Sequence, residues 1–113
     1  MATKLRVLCL HGYTQSAQKF RDRTGPLRRL LRADLELIYI DAPQPSTDGS
    51  GGLAWWNNNN HEEKQIQESI DCVRRVLNDQ GPFEGILGFS QGAGMASIVM
   101  AVLRPSQIKF AVL

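Results

Sequence analysis

Apolar and polar positions alternate along this chain in blocks of two kinds. Leu5-Arg6-Val7-Leu8-Cys9-Leu10 is apolar at five of six positions, a short dense run that predicts a buried strand. From Ser16 to Ala33 the spacing predicts helix, interrupted at Thr24-Gly25-Pro26, where a cap residue precedes a proline suited to a first turn. Leu27, Leu30 and Leu31 then share one helical face. Leu35 to Ile40 predicts a second strand, closed by Asp41-Ala42-Pro43. The segment from Ala42 to Asn60, rich in proline and glycine, predicts a long loop. It carries Trp55-Trp56 and the asparagines 57 to 60, which read as a solvated tract.

Asn60 and Glu63 form a capping pair for a helix running to about Gln80, with Ile66, Ile70, Val73, Val76 and Leu77 as its apolar stripe. Gly81 and Pro82 stop it. Ile86 to Phe89 predicts a third strand, Gln91 to Leu103 a helix that is apolar almost all round, and Ile108 to Leu113 a fourth strand. Strands alternating with helices predict an α/β fold, with one parallel sheet covered on both faces. A hydrophobic strand at the end of the chain leaves that architecture unfinished, so residues 1–113 read as the N-terminal portion of one domain rather than a whole one.

Composition narrows the chemistry. The 113 residues are 42% apolar and 21% charged, ordinary for one globular domain. A net charge of +2 argues against nucleic acid as a partner, and Arg21, Arg23, Arg28, Arg29 and Arg32 read as a solvated helix face. No run of about 18 apolar residues could span a membrane, and the first strand lacks the pattern of a signal peptide. The expected location is the cytoplasm, with the nucleus possible. Cys9 and Cys72 are too isolated for a zinc site and read as free, buried thiols; no metal is expected.

The most informative segment is Gly88-Phe89-Ser90-Gln91-Gly92, a GxSxG between a strand and a small-residue helix. That is the pattern of a nucleophile elbow. Gly88 and Gly92 are required because the chain reverses within about one residue, leaving no room for Cβ atoms. The following helix aims its free N–H groups and positive dipole end at the same point, where an oxyanion would be stabilised. A phosphate cradle fits worse, since Gly88, Gly92 and Gly94 do not make GxGxxG and no P-loop lysine follows.

Several linked segments extend the match. Leu5 to Ser16 with its His11-Gly12-Tyr13-Thr14 turn, then Phe20, Thr24-Gly25, Trp55-Trp56, and Gly81 to Ala93 together resemble the FSH family of serine hydrolases, within the α/β-hydrolase superfamily. The resemblance covers the whole chain but only the N-terminal half or so of a family member. It implies the α/β-hydrolase fold with strand order 2-1-3-4, and a carboxylesterase-like enzyme cleaving ester or thioester bonds of small molecules without a cofactor. Ser90 matches the nucleophile, Gln91 supplies one oxyanion N–H, and the Gly12-Tyr13-Thr14 turn supplies the other. Trp55 and Trp56 either line an acyl pocket or bury as core.

In this fold the acid and the base follow the nucleophile in the chain, yet residues 91–113 contain no Asp, Glu or His. The chain alone is therefore expected to be nearly inactive. Both histidines lie upstream: His11 is expected to shape its turn by hydrogen bonding, and His61 to lie on the surface. Asp41 is expected to cap its loop. Two rival readings share the elbow, an acyl-protein thioesterase-type carboxylesterase and a truncated, non-catalytic isoform that binds through the same pocket. Oligomeric state is not legible.

Overall fold

The computed structural model describes residues 3–113. Its strands are β1 (Leu5–Leu10), β2 (Leu35–Ile40), β3 (Gln44–Pro45), β4 (Leu53–Ala54), β5 (Gly85–Gly88) and β6 (Phe110–Val112). Its helices are α1 (Ala17–Arg23), α2 (Gly25–Leu31), α3 (Glu62–Gln80) and α4 (Gln91–Leu103). The main sheet is parallel throughout, in the order β2-β1-β5-β6, which is the expected 2-1-3-4. In register, Leu10 pairs with Ile40 on one side and Gly88 on the other.

The two-residue period of β1 divides its side chains between two cores. Leu8 and Leu10 join Ile86, Ile70, Val73, Met95 and Val99 under α3 and α4. Val7 and Cys9 face the opposite way and pack with Phe20, Leu37, Tyr39 and Leu87 beneath α1. Helices thus cover both faces, and the dense apolar run of β1 is explained by burial on both sides.

Four local expectations are corrected. The long loop contains a small hairpin, β3 antiparallel to β4, and Leu53 also bridges to Gln15. The start of α3 is not set by Asn60 with Glu63: the cap is His61, without a side-chain cap bond, and the Asn59 carboxamide oxygen instead accepts the His61 N–H at 2.8 Å. At the α1–α2 break the Thr24 hydroxyl turns back to Phe20 O at 2.8 Å, and it also pairs with the Tyr39 hydroxyl, so it does not cap α2. On α2, Leu27 and Leu31 are half-buried, but Leu30 is 77% exposed. A helix of two turns lying on one edge of a sheet covers only a narrow stripe, and Leu30 falls outside it.

Candidate active site

The C-terminal ends of the neighbouring strands β1 and β5 carry the two turns that matter, since Phe89 N donates to Leu10 O at 3.1 Å. Ser90 lies between β5 and α4 with φ 57° and ψ −116°, a backbone state costing on the order of 1–3 kcal/mol for a residue with a side chain. Close packing holds it there. A Cβ on Gly92 would lie 2.1 Å from Leu10 O, and one on Gly88 would lie 2.4 Å from Gly92 O. The elbow therefore presses directly against β1. Ser90 is exposed, and its hydroxyl has no hydrogen-bond partner among the described residues.

The facing turn is braced just as closely. Gly12 N donates to Gln15 Oε1 at 2.9 Å, Gln15 N donates to Gly12 O at 3.1 Å, and Thr14 adopts φ 70°. Thr14 N donates to Leu53 O at 2.9 Å. That bond spends the Thr14 donor on the hairpin, so of the Tyr13 and Thr14 amides in the turn only that of Tyr13 is left without an acceptor among the described residues. Among the described residues, the backbone N–H groups of Tyr13 and Gln91 have no acceptor. Tyr13, Ser90 and Gln91 line one cleft of about 520 Å³ together with Thr47, Trp56 and Asn58. The first turn of α4 adds its positive dipole end at the same place.

His11 is fully buried and is not among the residues that line this cleft. Its Nδ1–H donates to Gly12 O at 2.8 Å, while Nε2 accepts Ala42 N–H at 3.0 Å. Two backbone partners of opposite kind fix a neutral ring with the proton on Nδ1. Burial pushes its pKa below the ordinary value, against smaller upward pulls from the Gly12 hydrogen bond and the Asp41 charge. With both nitrogens occupied, it shapes the turn. Asp41 does not cap its own loop as expected: its Oδ1 accepts the Ala17 N–H at 2.8 Å, in the first turn of α1, whose N-cap is Ser16, and His61 is exposed.

The tryptophan pair divides. Trp55 is fully buried, its indole N–H donating to His11 O at 2.8 Å and its ring 5.3 Å from the imidazole. Trp56 is half-buried and lines the cleft, packing near Gly94.

Two contributors escaped the sequence reading. The Gln91 side chain clamps the tryptophan backbone: Oε1 accepts Trp55 N–H and Nε2 donates to Trp56 O, both at 2.8 Å. Asn57 corrects the picture of a wholly solvated asparagine tract, because it is 1% exposed. Its Oδ1 accepts from the Tyr13 hydroxyl at 2.9 Å and from Thr47 N at 3.0 Å, and its Nδ2 donates to Pro45 O at 3.1 Å. Asn58, Asn59 and Asn60 are exposed. Four identical residues in a row gave no signal that one of them is interior.

The family model described as serine hydrolase (FSH1) matches residues 1–113. Among curated proteins, esterase OVCA2 of Danio rerio is 38% identical over 89% of this chain and 57% of its own length. Esterase OVCA2 of Homo sapiens is 34% identical over 94% of this chain and 59% of its own length. The chain thus spans a little over half the length of these relatives. Among solved structures, a carboxylesterase from Mesorhizobium loti superimposes with a TM-score of 0.73 at 22% identity, over 97% of this chain and 54% of that one. Arabidopsis thaliana SOBER1 gives 0.64 at 18% identity, over 87% and 55%. At such identities the structures speak for the fold alone.

Proposed function

Because the chain belongs to the FSH1 serine hydrolase family, we propose that its cleft is the nucleophile half of a carboxylesterase-type site, with Ser90 attacking the carbonyl of an ester or thioester. The observation that carries this reading is the convergence of Ser90 with the two unpartnered amides of Tyr13 and Gln91 in one cleft. Attack by the Ser90 oxygen on the carbonyl carbon makes a tetrahedral intermediate whose oxyanion accepts from those N–H groups. Collapse expels the alcohol or thiol and leaves an acyl-serine, which water hydrolyses. Trp56 offers the acyl or leaving group an apolar wall. None of these steps requires a metal or an organic cofactor.

The proton on Ser90 needs a base. His11 is ruled out by its two backbone bonds, and residues 91–113 supply no Asp, Glu or His. In the chain order of this fold the acidic residue and the base both follow the nucleophile. Removing the base from such a unit costs on the order of a million-fold in turnover, so residues 1–113 alone are expected to be nearly inactive.

A chimera tests the assignment: residues 1–113 followed by the remainder of the Danio rerio relative, assayed with simple alkyl esters and a fluorophosphonate probe. Hydrolysis and labelling, both abolished by Ser90→Ala, are expected. A folded chimera with neither, or with labelling that survives Ser90→Ala, would defeat the proposal.

A further inference from the structure

Charge is distributed very unevenly along this chain. Between Lys19 and Arg32 lie six of its thirteen basic residues but only one of its eleven acidic ones, Asp22. The fold gathers them along the free edge of the sheet. Lys4, Arg28, Arg29 and Arg32 line one groove beside β2 with Leu35, Glu36 and Leu37. An adjoining groove, sharing Glu36 and Leu37, is lined by Arg6 and Arg21. From Lys4 to Glu36 eight basic residues stand against three acids, Asp22, Asp34 and Glu36, so the region stays net cationic. Glu36 is paired with Arg6 at 3.1 Å, Asp22 accepts from Gln18 at 2.8 Å, and Asp34 lies in the turn beyond α2.

Cations beside an edge strand are commonly explained as protection against edge-to-edge pairing. Leu30 does not fit that explanation. It is 77% exposed, the most exposed of the large apolar side chains among the described residues, with exposed Arg29, Arg32 and Ala33 near it in sequence and exposed Pro26 one turn before it on α2. An exposed apolar side chain on the same short helix as a basic groove suits an interface that is anionic at its surface and hydrocarbon just beneath. Nucleic acid fits less well, because the groove of Lys4, Arg28, Arg29 and Arg32 contains no aromatic side chain on which a base could stack.

We propose that the α2 surface, which combines exposed Leu30 with the basic groove of Lys4, Arg28, Arg29 and Arg32, docks the protein peripherally on anionic lipid membranes. The patch borders the starts of β1 and β2, whereas Ser90 follows the end of β5 in the same parallel sheet. Docking therefore tethers the molecule with its cleft at the far end of the sheet. It is independent of the hydrolase reading, and Ser90→Ala is expected to bind membranes as the parent does.

Co-sedimentation with vesicles of phosphatidylcholine, with and without phosphatidylserine, tests this on the chain itself. Binding is expected only with phosphatidylserine present, weakening as salt rises. Each cation near such a surface strengthens binding about fivefold. Arg29→Glu with Arg32→Glu should therefore lower partitioning by at least about twentyfold, and Arg29→Lys with Arg32→Lys should largely restore it. Leu30→Ser should cost about tenfold in partitioning at constant charge. All these positions are exposed, and circular dichroism should show each variant folded. Equal binding to both vesicle types, none to either, or no response to the arginine reversals would overturn the proposal. So would a Leu30→Ser variant that binds as the parent does, which would reduce the patch to a general polyanion site.

Discussion

Gly92 lies so close to Leu10 that a Cβ on it would be 2.1 Å from the Leu10 carbonyl oxygen and 2.5 Å from that of His11. The elbow and the first strand are thus fitted backbone to backbone, and the site's geometry depends on that contact as much as on any side chain.

Gly92→Ala should accordingly destabilise the protein by about 3 kcal/mol, near the upper end for overpacking, because the obstacle is backbone that cannot turn aside. Gly88→Ala, facing Gly92 O at 2.4 Å, should behave alike. Gly25→Ala is the control: its Cβ would meet only flexible guanidinium tips, that of Arg29 at 3.3 Å and that of Arg28 at 3.7 Å. Urea midpoints check all three, with Gly25→Ala expected within about 0.5 kcal/mol of the parent.

Asn57 joins three segments, and its replacement should report on each. Asn57→Ala leaves Thr47 N and Pro45 O without their partner and should cost about 2–3 kcal/mol. Tyr13→Phe removes a single hydrogen bond and should cost about 1 kcal/mol. The double variant should fall short of the sum by about 0.5–1.5 kcal/mol, read from denaturant melts as a coupling energy.

His11 gives stability a pH dependence of definite sign. Burial holds its folded-state pKa below the ordinary 6.5, so below that pH the unfolded chain takes up a proton that the folded chain refuses. Its contribution is complete above about 6.5 and declines as the pH falls from there toward the lower folded value. Urea midpoints measured from pH 7.5 to 5.5 should decrease, and His11→Gln, though less stable throughout, should show a shallower slope.

The two thiols should differ in reactivity. Burial pushes the Cys9 pKa up to about 12, and its side chain is 1% exposed. Cys72 is also shifted upward by burial but lies only partly covered on α3. A disulfide-exchange reagent at pH 8 should modify Cys72 slowly in the folded protein and Cys9 only at the rate of unfolding, because the thiolate is the reacting form.

Much of this molecule was legible in one dimension because local signals and tertiary demand agreed. The strand–helix alternation, the two-sided burial of β1 and the constraint on Gly88 and Gly92 each follow from residue type and short-range spacing. The hydrogen bonding expected of His11 is present too, with both ring nitrogens engaged with backbone. Folding decided what depends on partners distant in sequence. Thr14 loses its amide to Leu53, 39 positions away, and Gln91 finds both its partners at Trp55 and Trp56. Asn57 is interior while its three identical neighbours are not, and Leu30 is turned outward from a face that its spacing shared with Leu27 and Leu31. A residue's chemistry and periodicity are written locally, but which hydrogen-bond donor remains free, and which side chain is covered, depends on segments that meet only when the chain closes on itself.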